Sequence, residues 1–91
     1  MLTCSAITRI INEKGLHARA SARFVETVER FNATAYIKNE SQDVDGSSIL
    51  DLLLLAASCG TEVEIITQGP EAEALLAALV GLIDNKFGED K

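Results

Sequence analysis

The sequence predicts an α+β fold in which helices pack on one face of a mostly antiparallel sheet, in the order β-α-β-β-α-β-α. Three observations lead there. Stretches that alternate with period 2 change places along the chain with stretches of helical period. The connections are short, and Asn39-Glu40-Ser41 reads as the turn of a hairpin. The length of 91 residues makes one domain, 1–91, without internal repeat, linker or low-complexity segment. A chain of this size buries roughly 60–65% of its unfolded surface, so any chemistry belongs on or near the surface.

Residues 3–11 (TCSAITRII) are rich in β-branched side chains and read as the first strand, with a phase slip near Ala6-Ile7. The turn Asn12-Glu13-Lys14-Gly15 ends it. From Ala18 to Phe31 the period becomes helical: Ala20, Phe24, Val28 and Phe31, with Val25 beside them, share one face. Glu26 and Arg30 form an i,i+4 pair in the favourable order, and Asn32 breaks the helix. Residues 33–38 alternate cleanly as a strand, and Gln42-Asp43-Val44 returns as a short edge strand. Ser48 to Ala57 reads as a short helix capped by Ser48, with Asp51 three residues on and Gly60 at its C-terminal stop. Thr61–Thr67 is the last strand. Gly69-Pro70 opens the final helix, with Pro70 at its first position. Glu71 and Glu73 suit the positive end of that helix and Lys86 its negative end. Ala72, Leu75, Leu76, Leu79, Leu82 and Ile83 form its buried stripe, and Gly88 is a stop.

The net charge of −6 argues against nucleic-acid binding by phosphate neutralisation. Its distribution is uneven. Residues 1–38 carry six Lys/Arg against three Asp/Glu, and residues 39–91 carry two against eleven. The basic set Arg9, Lys14, Arg19, Arg23 and Arg30 surrounds the single histidine, His17. It reads either as solvated surface charge or as a positive patch for an anionic group or acidic partner. Cys4 and Cys59 form no ligand cluster, which argues against a zinc site; no metal or cofactor is expected. Two free thiols and no signal peptide point to a cytoplasmic setting. No apolar run approaches the ~20 residues of a membrane span. Cys59 reads as a small, half-buried apolar residue.

Gly15-Leu16-His17-Ala18-Arg19 is the stretch that carries chemistry. A lone histidine is commonly a surface residue, but three local features make this one a phosphate acceptor. Gly15 permits a tight turn. The helix that follows offers unused N–H groups and a positive dipole end, a ready anion site. The same end disfavours protonation of the ring and leaves a neutral nucleophile. A phosphoryl group on His17 sits against the Ala18 and Arg19 N–H groups, with the Arg19 guanidinium in reach. The dipole contributes a modest ~0.3–2 kcal/mol, which suits a group that must leave again.

These five residues resemble the active-site signature of HPr, the histidine-containing phosphocarrier family of the phosphoenolpyruvate-dependent phosphotransferase system. The resemblance covers nearly the whole chain, including Ser48-Ile49 and the opening of the last helix at Gly69. It implies an HPr-like open-faced β-sandwich, a four-stranded antiparallel sheet with three helices on one side. It implies that His17 takes phosphate on Nδ1 from enzyme I and passes it to an EIIA domain, with Arg19 steadying the phosphoryl group. Such a protein is a cytoplasmic monomer that turns over nothing alone. The family usually has proline after the arginine; here the residue is Ala20, a good helix former that preserves the first turn at a loss of rigidity. Ser21 reads as a helix-surface serine.

Ser48 is a helix cap worth ~1 kcal/mol. By resemblance it is also a regulatory phosphorylation site for an HPr kinase/phosphorylase. The run Ile49–Leu55 holds more large apolar residues than one helix face can hide, so it serves partly as core and partly as docking surface, with Ile49, Leu50 and Leu53 facing partners. Sugar uptake and the nitrogen-related branch of the same relay both fit; the Phe87–Asp90 tail favours the second and a regulatory serine the first. From a different class, a non-catalytic α/β interaction module would keep His17 merely as a helix-end residue.

Overall fold

A computed structural model describes residues 2–91. Its elements are β1 (Thr3–Arg9), α1 (Ala18–Glu29), β2 (Thr34–Lys38), β3 (Asp43–Asp45), α2 (Ile49–Leu55), β4 (Glu62–Gln68) and α3 (Ala72–Asp84), then a 3-10 turn at Lys86–Gly88. The four strands form one antiparallel sheet in the order β1-β4-β2-β3. The expected order of elements is therefore the observed one, and β3 is the short edge strand. Among the described residues, no helix is long and apolar enough to cross a membrane.

The period-2 pattern decides which sheet face is covered. Ala35 and Ile37 of β2 and Val63, Ile65 and Thr67 of β4 point beneath the helices and are buried, while Tyr36 and Ile7 remain on the open face. The phase slip expected near Ala6-Ile7 does not occur. Exposure in β1 alternates without interruption, and Ile7 simply points outward, 66% exposed. Its Cα partner is Glu64, and the pairing register of β1 with β4 overrides the hydrophobicity of that one side chain.

Ala20, Phe24, Val25 and Val28 of α1 meet Leu52 and Leu55 of α2 and Leu75, Leu79 and Ile83 of α3 in one core with the sheet. Phe31 is only partly buried at its margin. Ser21, expected on the helix surface, is fully buried, and its hydroxyl donates to the Leu16 carbonyl at 3.3 Å. Glu26 and Arg30 form no ion pair among the described residues.

Three end-of-helix expectations shift. The left-handed residue that ends α2 is Ala56 (φ 53°), and Gly60 instead serves the turn into β4, its N–H donating to the Ile10 carbonyl at 2.7 Å. Pro70 precedes α3 rather than occupying its first position. Glu71 is held out of the helix because its N–H donates to the Asn32 carbonyl (3.1 Å) and its carboxylate accepts from the Asn32 N–H (2.6 Å). Lys86 lies beyond α3 in the 3-10 turn and does not charge the last helical turn. Cys59, expected half-buried, is exposed, because it lies in the turn that follows α2.

Beyond α3 the chain doubles back. Lys86 and Phe87 (both φ 56°) and Gly88 (φ 80°) are three successive left-handed residues. For the two non-glycine residues this costs about 1–2 kcal/mol each. The Phe87 ring, with no exposed surface, offsets much of that by burying its full apolar area. The reversal sends residues 89–91 towards the start of α1, where the Glu13 N–H donates to the Lys91 carbonyl at 3.0 Å.

Candidate functional site

His17 is the N-cap of α1, with extended backbone (φ −80°, ψ −175°). The first intrahelical bond runs from the Ser21 N–H to the His17 carbonyl (2.8 Å), which leaves the N–H groups of Ala18, Arg19 and Ala20 outside the helical ladder. That of Arg19 points back at the ring and donates to His17 Nδ1 at 3.3 Å. Because a backbone N–H can only donate, Nδ1 carries a lone pair in this geometry. The ring is about one quarter exposed, which leaves it reachable at the surface.

Gly15 sets this loop. At φ +66°, it is in the left-handed region, and a Cβ there would lie 2.6 Å from the Ala57 carbonyl oxygen and 2.8 Å from Ser58 Cα. The backbone approaches this closely because the neighbouring Leu16 N–H donates to the same Ala57 carbonyl at 2.8 Å. The histidine loop is thus bonded to the end of α2. Leu16 is buried, so the loop is anchored on both sides of the turn. Ala20 is fully buried beneath the first turn, which forms without a proline.

The other ring nitrogen has a partner that sequence reasoning missed. His17 Nε2 lies 2.5 Å from Glu89 Oε2. Glu89 Oε1 accepts from Asn12 Nδ2 at 3.0 Å, and that amide also donates to the Gly15 carbonyl at 2.8 Å. Asn12 is completely buried, and its Oδ1 has no hydrogen-bond partner among the described residues. An orphaned buried acceptor costs about 1–3 kcal/mol, so the amide orientation is imposed by its two donor contacts. Burial alone pushes the Glu89 carboxyl up. The hydrogen bonds from Asn12 and His17, with the electrostatic attraction of His17 and Arg19 for the carboxylate, outweigh this and hold it below its ordinary value of 4.5. Glu89 was read as part of an acidic tail and Asn12 as a turn residue. Only their separation in sequence, 77 positions, hid the connection.

Beside the ring lies a cavity of about 370 Å³ lined by Glu13, Lys14, Arg19, Arg23, Gly88, Glu89, Asp90 and Lys91. Of the five basic residues expected around His17, it gathers Lys14, Arg19 and Arg23. Arg9 is taken up elsewhere, 3.6 Å from Glu62 and bonded to the Gly60 carbonyl. Arg30 lines a separate groove with Glu26 and Thr27. The Arg23 guanidinium donates to the Phe87 carbonyl and so ties α1 to the returning segment.

Ser48 caps α2 as expected, its Oγ accepting from the Asp51 N–H at 3.2 Å. The reciprocal bond of a full capping box is replaced: the Ser48 N–H donates to the Asp45 carbonyl (3.3 Å). On α2, Leu52 and Leu55 enter the core, whereas Ile49 (42%), Leu50 (67%), Leu53 (38%) and Leu54 (63%) stay exposed. Leu54 adds a fourth apolar side chain to the expected three. No cluster of three or more potential metal ligands occurs among the described residues.

Residues 4–85 match the family model described as the PTS HPr component phosphorylation site. The phosphocarrier protein HPr of Neisseria meningitidis serogroup A is 41% identical over 80 residues, 88% of this chain and 90% of that protein. The phosphocarrier protein NPr of Escherichia coli K12 is 31% identical over 90 residues, 98% of this chain and 100% of that protein. Among solved structures, HPr-C-His from Thermoanaerobacter tengcongensis superposes with a TM-score of 0.92 at 34% identity, over 97% of this chain and 99% of that chain.

Proposed function

The chain belongs to the HPr family of phosphocarrier proteins of the phosphotransferase system, which carry phosphoryl groups on a histidine, and on that premise we propose that His17 Nδ1 is the carrier atom in this protein. One observation carries the assignment. His17 is the single histidine of the sequence, and it caps a helix with Nδ1 directed to the Arg19 N–H. Phosphoryl transfer asks little covalent chemistry of the protein beyond an in-line nucleophile and positioned positive charge. Nδ1 supplies the first. The Ala18 and Arg19 N–H groups, the helix dipole and the Arg19 guanidinium supply the second.

In this reading the donor is phosphorylated enzyme I and the acceptor an EIIA domain, both reached from the cytoplasm by a monomeric carrier. Ile49, Leu50 and Leu53 form the docking face. The Leu16–Ala57 hydrogen bond connects the end of their helix to the histidine loop, so a partner can seat on α2 and reach the ring together. Such transient contacts are small, typically under ~1,200 Å². The decisive assay incubates the protein with phosphoenolpyruvate and enzyme I. One acid-labile phosphate is expected, and none on His17→Ala; labelling that survives the substitution refutes the assignment. Presenting the phosphorylated protein to EIIA domains of the sugar and nitrogen-related branches identifies the acceptor.

Ser48 is the regulatory position in the same reading. A phosphate on its Oγ remains compatible with the helix end but places negative charge beside exposed Ile49 and Leu50. An HPr kinase/phosphorylase is then expected to leave acid-stable phosphate there, visible by mass spectrometry of protein from cells. Unmodified Ser48 across growth conditions would reduce it to a cap.

A further inference from the structure

Glu89 lies beyond residues 4–85, the part of the chain that matches the family model, yet it makes the shortest polar contact to the histidine. Its place is heavily built. The segment that carries it is anchored by the fully buried Phe87 ring and by the Arg23 bond to the Phe87 carbonyl. It is fastened again by the Glu13–Lys91 backbone bond and by the buried Asn12 amide on Glu89 Oε1. A surface tail in chance contact would need none of these.

The two ring nitrogens read the same proton arrangement independently. Nδ1 accepts from a backbone donor and must be bare, whereas Nε2 faces a carboxylate and must carry hydrogen. Glu13, Lys14, Arg19, Arg23, Asp90 and Lys91 also line this side of the site, but among the described residues only Glu89 bonds Nε2.

We propose that Glu89 is a positioning residue for phosphoryl transfer: it holds the proton on Nε2, so that Nδ1 is the nitrogen that accepts the phosphoryl group, and it balances the charge that the ring then acquires. This rests on His17 being the carrier. In the step, the Nδ1 lone pair forms the new N–P bond while the donor's bond to phosphorus breaks and its electron pair returns to the donor atom. The Nε2 proton stays where it is. The ring, now bonded at Nδ1 and protonated at Nε2, carries a positive charge, and the Glu89 carboxylate 2.5 Å away neutralises it. Passing the group on reverses each of these changes, and no proton has to leave the site.

Nitrogen-15 NMR of the His17 ring, together with phosphorylation rates from phosphoenolpyruvate and enzyme I, tests this. The unmodified protein is expected to show hydrogen on Nε2 alone, and the phosphoprotein a bond at Nδ1. Glu89→Ala should populate the other tautomer and slow acceptance on the order of 10-fold or more. Glu89→Gln, whose amide oxygen still accepts from Nε2, should keep the tautomer but lose the charge balance, with Glu89→Asp recovering part of the loss. Native-like amide NMR spectra of these variants, folded at the assay temperature, separate positioning from loss of the fold. An unaltered tautomer with rates within about twofold of the parent overturns the role of Glu89 and leaves His17 as carrier. Labelling of His17→Ala overturns both.

Discussion

Replacing Gly15 by alanine tests how rigidly the histidine loop is held. Two penalties add. A non-glycine residue in the left-handed region costs about 1–2 kcal/mol. The new Cβ would also lie 2.6 Å from the Ala57 oxygen and 2.8 Å from Ser58 Cα, both backbone atoms that cannot rotate aside. Forcing such an overlap costs about 1–3 kcal/mol, for a sum of roughly 2–5 kcal/mol. For a domain of this size that lowers Tm by at least about 8 °C. Two internal controls dissect the sum. Gly60 is also left-handed (φ +94°), but among the described residues nothing lies within 4 Å of its Cβ position, so Gly60→Ala should show the backbone penalty alone. Gly81 lies inside α3 with open space around it, and Gly81→Ala should stabilise by about 0.5–1 kcal/mol. Chemical denaturation of the three variants gives the order directly. A Gly15→Ala cost within about 0.5 kcal/mol of that for Gly60→Ala would mean that the loop moves freely off α2. The coupling between docking helix and histidine would then fail with it.

Three further outcomes follow from the site. Phe87→Ala should cost about 3–5 kcal/mol by calorimetry and release the returning segment, so that the Glu89 contact to the ring disappears from NMR spectra. Ala20→Pro should leave Tm within a few degrees, because the Ala20 N–H precedes the first intrahelical bond and proline is tolerated there; a large loss would show that the buried turn cannot house the ring. The native Glu89 carboxyl titrates below its unfolded value of 4.5, so its contribution to stability is complete above about that pH and is lost as pH falls through the lower native value. Urea titrations between pH 6 and 3 should therefore show a shallower acid loss for Glu89→Gln than for the parent.

Much of this molecule was legible in one dimension because the controlling interactions are local. The alternation of residues 33–38, the helical period from Ala18 and the cap at Ser48 each depend on neighbours a few positions away, and each appeared where expected. So did Gly15, whose loop needs a left-handed residue. Where expectations shifted, a distant partner intervened. Ile7 points outward because Glu64 sets its register, and α3 starts late because Asn32 holds Glu71. Ser21, by contrast, is buried with its hydroxyl on the Leu16 carbonyl only five positions back.

The same division runs through the site itself. Local sequence determined that His17 caps a helix and that Arg19 lies beside it, since a turn and a helix start are properties of adjacent residues. Tertiary structure alone supplied the partner of the second ring nitrogen, Nε2. Asn12 and Glu89 meet across most of the chain length, through the reversal at Phe87, and the carboxylate beside Nε2 is there because of that meeting. Period and propensity report on the neighbours of a residue; a proton is placed by whatever folding brings to within hydrogen-bond distance.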